Sequence, residues 1–460
     1  MPQLAGAKCI FMICLGISMF VCLVSYLRAQ GPTDPQDLTA GFWHEPNSTF
    51  CKNGPTPAEN IFSSKATSET PLEQHHLSDF PLCQALLPSN VRLPARPHNG
   101  SQLERYLMVK EGGGDLNCSR LLMDLHFITS PLSQEEENYP LAFILTVHKD
   151  LEMLVRLLRA IYAPQNVYCI HVDAKAPEKY RQSVERLADC FPNMFLANRS
   201  EIVIYAGFTR LQADINCMKD LVASPLPWKK VINLCGQDFP IKSNRELVRH
   251  LQSKEWRDKN MTPGIKQPAA FRHRTQLHHE VQGSLVITKH YDPKKSPAPH
   301  GLEIYFGTAY YALTRSFVEY VLRDQVPKDL LEWSKDTYSP DEHYWVTLNR
   351  YKEAPGCDMD GGWNGSIRAI KWSNQQGKYH KGCKGRYVRQ ICIYGLGDLE
   401  WIIDGNQMFA NKFESNSFPD AVDCMENWHR YKVLHQATVP IQSWWHLATA
   451  GNDSALSTPQ

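Results

Sequence analysis

Leu141-Ala-Phe-Ile-Leu-Thr-Val147, Val167-Tyr-Cys-Ile-His-Val172 and Lys230-Val-Ile-Asn-Leu234 are the three runs whose reading decides the fold. Each is short and almost wholly apolar, the pattern of a strand buried on both faces. Between the first two, Leu151 to Tyr162 spaces Leu, Val and Ile at helical intervals; Tyr180 to Ala188 and Leu211 to Val222 read as further helices on either side of a strand at Met194-Phe-Leu-Ala197. Such alternation predicts an α/β domain, an open, mostly parallel sheet flanked by helices, in which ligands lie beyond the carboxyl ends of the strands. Asp173, Asp238, His148 and Lys149 stand at those ends.

Outward from this core, 460 residues with 43% apolar side chains suffice for one large core or two modest ones. A formal charge of +1, with no long basic run or acidic tail, gives no reason to expect nucleic acid. Cys9 to Leu27 carries no charge between Lys8 and Arg28. As a helix it would span about 28 Å, the thickness of a bilayer's hydrocarbon. It is too long for the core of a cleaved signal peptide and no small-residue cleavage site follows, so a transmembrane signal anchor is expected over 9–27, with 1–8 as a cytosolic tail.

Asn-x-Ser/Thr sequons begin at Asn47, Asn99, Asn117, Asn198, Asn260, Asn364 and Asn452, and of fourteen cysteines three lie in the 9–27 segment, which leaves eleven beyond it. Both features point to the secretory lumen. Residues 28–117 read as a stem and connection rich in Pro, Ser, Thr, Glu and Asn, 118–435 as the luminal domain and 436–460 as a C-terminal tail.

A second decisive stretch is Asp336-Thr-Tyr-Ser-Pro-Asp-Glu342-His-Tyr-Trp-Val-Thr-Leu-Asn-Arg350. Pro340 suits a first helical turn, which would set Asp341 and Glu342 at a helix N-terminus. There an acid can face a cleft as a general base or simply compensate the helix dipole. Asp341 reads as a cap or packing contact, because adjacent helical residues face different ways.

With Tyr387-Val-Arg389-Gln-Ile-Cys-Ile-Tyr-Gly-Leu-Gly-Asp398-Leu, Phe409-Ala-Asn-Lys412-Phe, Val231-Ile-Asn-Leu-Cys235-Gly-Gln-Asp238-Phe-Pro and Tyr168-Cys-Ile-His-Val-Asp173 added, the chain resembles the core 2 and I-branching β-1,6-N-acetylglucosaminyltransferases from about Cys83 to Cys424. The resemblance implies a single GT-A-like catalytic domain on a Golgi membrane, single-pass and type II, with room for a homodimer. It implies inverting transfer of N-acetylglucosamine from UDP-GlcNAc to a 6-hydroxyl of a glycoprotein or glycolipid glycan, with no metal or other cofactor. Glu342 matches the catalytic base, Arg389 and Lys412 the cations that replace a metal at the diphosphate, and Asp173 a position near the uridine. His148 and Asp238 join the donor candidates from strand-end placement alone. Asp358-Met-Asp360 has the letters of a metal-binding Asp-x-Asp but lies in a Gly-rich stretch and reads as a surface loop.

The family pattern also implies disulfides Cys83–Cys424, Cys118–Cys190, Cys169–Cys217 and Cys383–Cys392, with Cys235 unpaired and Cys51 and Cys357 without counterparts. On the acceptor side Arg274 and Trp372 are retained. Pro263, Phe271 and Asn374 stand where the family has Glu, Lys and Tyr, and neither Pro263 nor the Phe271 ring can make the hydrogen bonds of the residues they replace. An active transferase with altered acceptor choice is the leading reading. A catalytically inactive glycan-binding relative and a peptide O-xylosyltransferase of the same wider superfamily are the alternatives.

Overall fold

The computed structural model describes residues 116–447 except Tyr291, together with Cys83, Leu103 and Leu107. The expected alternation is present: β1 (Leu141–Val147), α1 (Leu151–Ile161), β2 (Val167–Val172), α2 (Glu178–Ala188), β3 (Met194–Leu196), α3 (Phe208–Ala223) and β4 (Lys230–Cys235). β4, β1, β2 and β3 are parallel in that order, and Ala312–Thr314 adds an antiparallel edge beside β4.

The twofold period of the strands divides the core. Phe143, Leu145, Tyr168, Ile170 and Ile232 pack with α1 and α2 on one face; Ala142, Ile144, Val167, Cys169 and Val231 pack with α3 on the other. At the strand end, Asp150 caps α1 by accepting from the Met153 N–H at 3.0 Å, so the chain reverses immediately after His148 and Lys149 and leaves both side chains exposed.

A smaller sheet of Arg368–Ala369, Phe409–Asn411 and Asp238–Pro240 sits beyond the end of β4, with the hairpin Arg386–Val388/Ile391–Ile393 beside it. Disulfides join Cys83 to Cys424, Cys118 to Cys190 and Cys383 to Cys392. The expected Cys169–Cys217 bridge is not made. Both are free thiols buried between β2 and α3, where they pack as small apolar side chains and the Cys217 Sγ lies 3.8 Å from the Cys169 carbonyl. Burial pushes both thiols above their ordinary pKa. Cys235 is free, as expected, and so is Cys357.

Asn198 and Asn364 are exposed. Asn260 is corrected: it is 1% exposed, and its amide is occupied by Asn349, the Pro355 and Gly356 carbonyls and the Thr314 backbone. A glycan at that position would have no room. Asn47, Asn99, the expected 9–27 anchor and most of the expected stem lie outside the described residues. Among the described residues no helix is long and apolar enough to cross a membrane. Trp445, assigned to the tail, packs against Ile128, Leu132, Val433 and Leu434.

Candidate active site

The two adjacent acids sit in a single 3-10 turn, Pro340–Glu342, rather than in the helix, which begins at Tyr344. Ser339 enters the turn in the left-handed region, φ 45°, and its N–H donates to the Ala206 carbonyl at 2.8 Å. Asp341 and Glu342 then point apart, as neighbours in a tight turn must. Asp341 is buried near the ion pair of Arg210 with Asp214, 2.6 Å. Burial pushes its carboxyl up to about 7 despite the pull of Arg210.

Glu342 keeps 30% of its side chain exposed and lies 2.5 Å from the Arg274 guanidinium. Arg274, expected as an acceptor contact, has a side chain only 2% exposed. Phe271, Phe306 and Tyr338 surround its guanidinium at 4.7, 5.4 and 5.2 Å. Phe271 is itself buried and stacked on Phe306, with ring centroids 4.5 Å apart. The base candidate therefore rests on an arginine caged by aromatic rings.

The cations come from other elements. Arg389 and Gln390, with φ of 49° and 66°, form the turn of the Arg386–Ile393 hairpin, which holds Arg389 outward over the Tyr205 ring at 5.6 Å. The Cys383–Cys392 bridge closes that hairpin. The Trp372 backbone pairs with Ile391, and Ser373 N–H donates to the Gln390 carbonyl at 2.8 Å, so the half-buried indole adjoins the Arg389 turn. Lys412 ends the strand Phe409–Asn411. Desolvation lowers its pKa, with Lys149 and Arg389 repelling it and Glu414 opposing the shift.

Residues 199–207 link these parts, a connection with no motif to betray it in the sequence. Asp173 accepts from Val203 N–H at 3.4 Å and Lys175 N–H at 3.0 Å and is ion-paired with the Lys175 ammonium. Tyr205 meets Arg389 and Ala206 meets Ser339. The same short segment thus touches the uridine candidate, a phosphate candidate and the turn of the base. His148 lies near Asp173 with its side chain open to solvent on one side, and partial desolvation by the surrounding protein, then Lys149, lowers its pKa.

Asp238 is not a donor contact. It is wholly buried and receives Arg368 on both oxygens at 3.1 and 3.2 Å, Cys235 N–H at 2.7 Å and Asn411 at 3.0 Å. Its lone pairs are spent on joining the main sheet to the small one. Asp358 accepts from Lys259 at 3.3 Å and Asp360 is exposed, the arrangement of a surface loop. Among the described residues the closest set of metal-type ligand atoms is Cys383, Cys392 and Asp398. The two sulfurs are bonded to each other and Asp398 holds Lys371 at 2.7 Å.

Residues 141–403 match the family described as Core-2/I-Branching enzyme. The chain belongs to this family. Glu342, Arg274, Trp372 and Arg389 fall inside the match, and Lys412 nine residues beyond it. Among its relatives, the human "Probable beta-1,3-galactosyl-O-glycosyl-glycoprotein beta-1,6-N-acetylglucosaminyltransferase 7" is 51% identical over 85% of this chain and 91% of its own length. The human "N-acetyllactosaminide beta-1,6-N-acetylglucosaminyl-transferase" is 50% identical over 72% and 82%. The human "Beta-1,3-galactosyl-O-glycosyl-glycoprotein beta-1,6-N-acetylglucosaminyltransferase 3" is 40% identical over 69% and 74%. In this Core-2/I-branching chain the turn of the base candidate and Arg389 thus both meet one linking segment.

Proposed function

We propose that the chain is an inverting β-1,6-N-acetylglucosaminyltransferase that moves N-acetylglucosamine from UDP-GlcNAc to a 6-hydroxyl of a glycoprotein or glycolipid glycan, without a metal. The observation that carries this reading is the partly exposed Glu342 carboxylate, held by Arg274 at 2.5 Å, on a turn bonded to the same segment that meets Arg389. The relatives' names supply the sugar and the linkage.

Glu342 takes the proton of the sugar 6-hydroxyl as that oxygen attacks the donor's anomeric carbon. The bond from that carbon to the β-phosphate oxygen breaks on the opposite face, its electron pair leaves with UDP, and the α-linked donor yields a β linkage. Charge grows on the departing diphosphate, where Arg389 can fork onto phosphate oxygens and Lys412 adds a point charge. Asp173 and His148 lie at the strand ends where the nucleoside would rest, and Trp372 offers a flat apolar face to an acceptor ring. A Golgi membrane anchored through 9–27, with the catalytic part luminal, suits the sequons and the disulfides.

The burial of Phe271 and of Pro263 favours an acceptor other than that of the typical core 2 enzymes, and is also the observation on the side of a non-catalytic glycan-binding relative. Transfer of labelled N-acetylglucosamine to a glycan array in the presence of EDTA, with the linkage read out, separates the two. A β-1,6 product is the expected result. UDP binding by a folded chain that transfers to no acceptor would establish the non-catalytic reading instead.

A further inference from the structure

The donor cations leave one acid unexplained. Glu414, two residues after Lys412, has a side chain 17% exposed and lies 3.5 Å from the Lys149 ammonium and 3.6 Å from the Arg386 guanidinium. Gln237 donates to one of its oxygens at 2.7 Å and Ser417 to the other at 2.8 Å; Arg386 also reaches Ser417, at 3.0 Å. Its field acts on Lys412, and those of Lys149 and Arg389 act there as well. One carboxylate therefore stands among cations from three elements: the end of β1 through Lys149, the Arg389 hairpin through Arg386, and the strand that delivers Lys412.

Cations gathered for a diphosphate repel one another before it arrives, and an internal anion offsets that repulsion. Lys149 is held by the fewest contacts of the cations on Glu414. It is 53% exposed, sits on a long flexible stem and has one charged partner among the described residues.

We propose that Lys149 is a third cation for the donor diphosphate and that Glu414 is its resting partner, an internal stand-in for the phosphate charge. On binding, the Lys149 ammonium leaves Glu414 for a phosphate oxygen, while Glu414 stays on Gln237, Ser417 and Arg386 and keeps the three elements in register. No bond is made or broken. This assignment rests on the donor reading given above and adds two residues to it.

The test is calorimetric binding of UDP and of uridine to the full-length chain in detergent. Lys149→Gln should weaken UDP about threefold to tenfold, the scale of one partly exposed charge contact, and leave uridine unchanged. Glu414→Gln keeps the shape of the acid and one accepting oxygen for Gln237 but removes its charge, and should tighten UDP by a similar factor, again with uridine unchanged. Melting temperatures within a degree or two of the parent show that both variants are folded. If Lys149→Gln binds UDP like the parent while Arg389→Ala binds it weakly, Lys149 is no phosphate contact and the assignment falls. If Glu414→Gln weakens UDP, the acid is a scaffold and not a stand-in. If the parent chain binds UDP no better than uridine, the donor reading itself is wrong.

Discussion

The two sides of the site are built from opposite materials. Around the donor, Arg389, Lys149, Lys412 and Glu414 are partly exposed and meet through charge. Around the base, Arg274 is buried and held by Phe271, Phe306 and Tyr338. A change of ligand on the first side requires only side-chain rotation. A change on the second requires repacking a core, where each methylene is felt. On the proposed reading, the donor side can thus exchange ligands by rotation, whereas the acceptor side, at Phe271 and Pro263, is set by the packing of the core.

That contrast is most sharply tested at the base. Glu342→Gln should reduce transfer by about 10²–10⁴-fold, the contribution of a positioned general base, while calorimetry finds UDP bound as tightly as in the parent. Transfer that survives would move the chemistry to another group. The next effect separates two arginines. Arg368→Ala leaves Asp238 charged and unpaired in the interior, at a cost of about 3–5 kcal/mol in chemical denaturation. Arg389→Ala changes stability by less than about 0.5 kcal/mol, as surface substitutions do, yet loses UDP. Equal loss of stability in both would erase the distinction between core and donor side.

On the aromatic side, Phe271→Ala should cost about 3 kcal/mol or more through the cavity it leaves and loosen Arg274 from Glu342. Unchanged stability would mean that the Phe271 ring is not load-sharing with Phe306. A smaller effect depends on pH. The Asp341 carboxyl titrates near 7 in the fold and near 4 when unfolded, so the folded state binds the extra proton between those values. Stability should fall as pH rises from about 4 to about 7 and level off above, and Asp341→Asn should flatten that slope; denaturation midpoints taken across the range read it directly. The least effect is expected at Asp360→Asn, whose activity with and without EDTA should match the parent.

The sheet could be read because strands buried on both faces are written as short, almost wholly apolar runs, and the helices between them as a 3.6-residue period. Glu342, Arg389 and Lys412 stood out as candidates because they lie within long motifs. Asp238 was misread for a physical reason: a strand-end acid looks the same whether it faces a ligand or an arginine 130 residues away, and Arg368 carries no local signal of the pairing. Asn260 shows the same limit, since a sequon states nothing about burial. The pairing of Cys169 with Cys217 came from a pattern, and the structure leaves both as thiols. The segment 199–207 was missed because its contacts are mainly backbone, whereas Glu414 had a clue available: an acid two residues from a phosphate-type lysine.

The Cys383–Cys392 bridge spans only nine residues in sequence, and a ring that small removes less freedom from the unfolded chain than the link of Cys83 to Cys424. Its influence falls instead on the hairpin that it encloses, so the covalent constraint acts on the turn that carries Arg389.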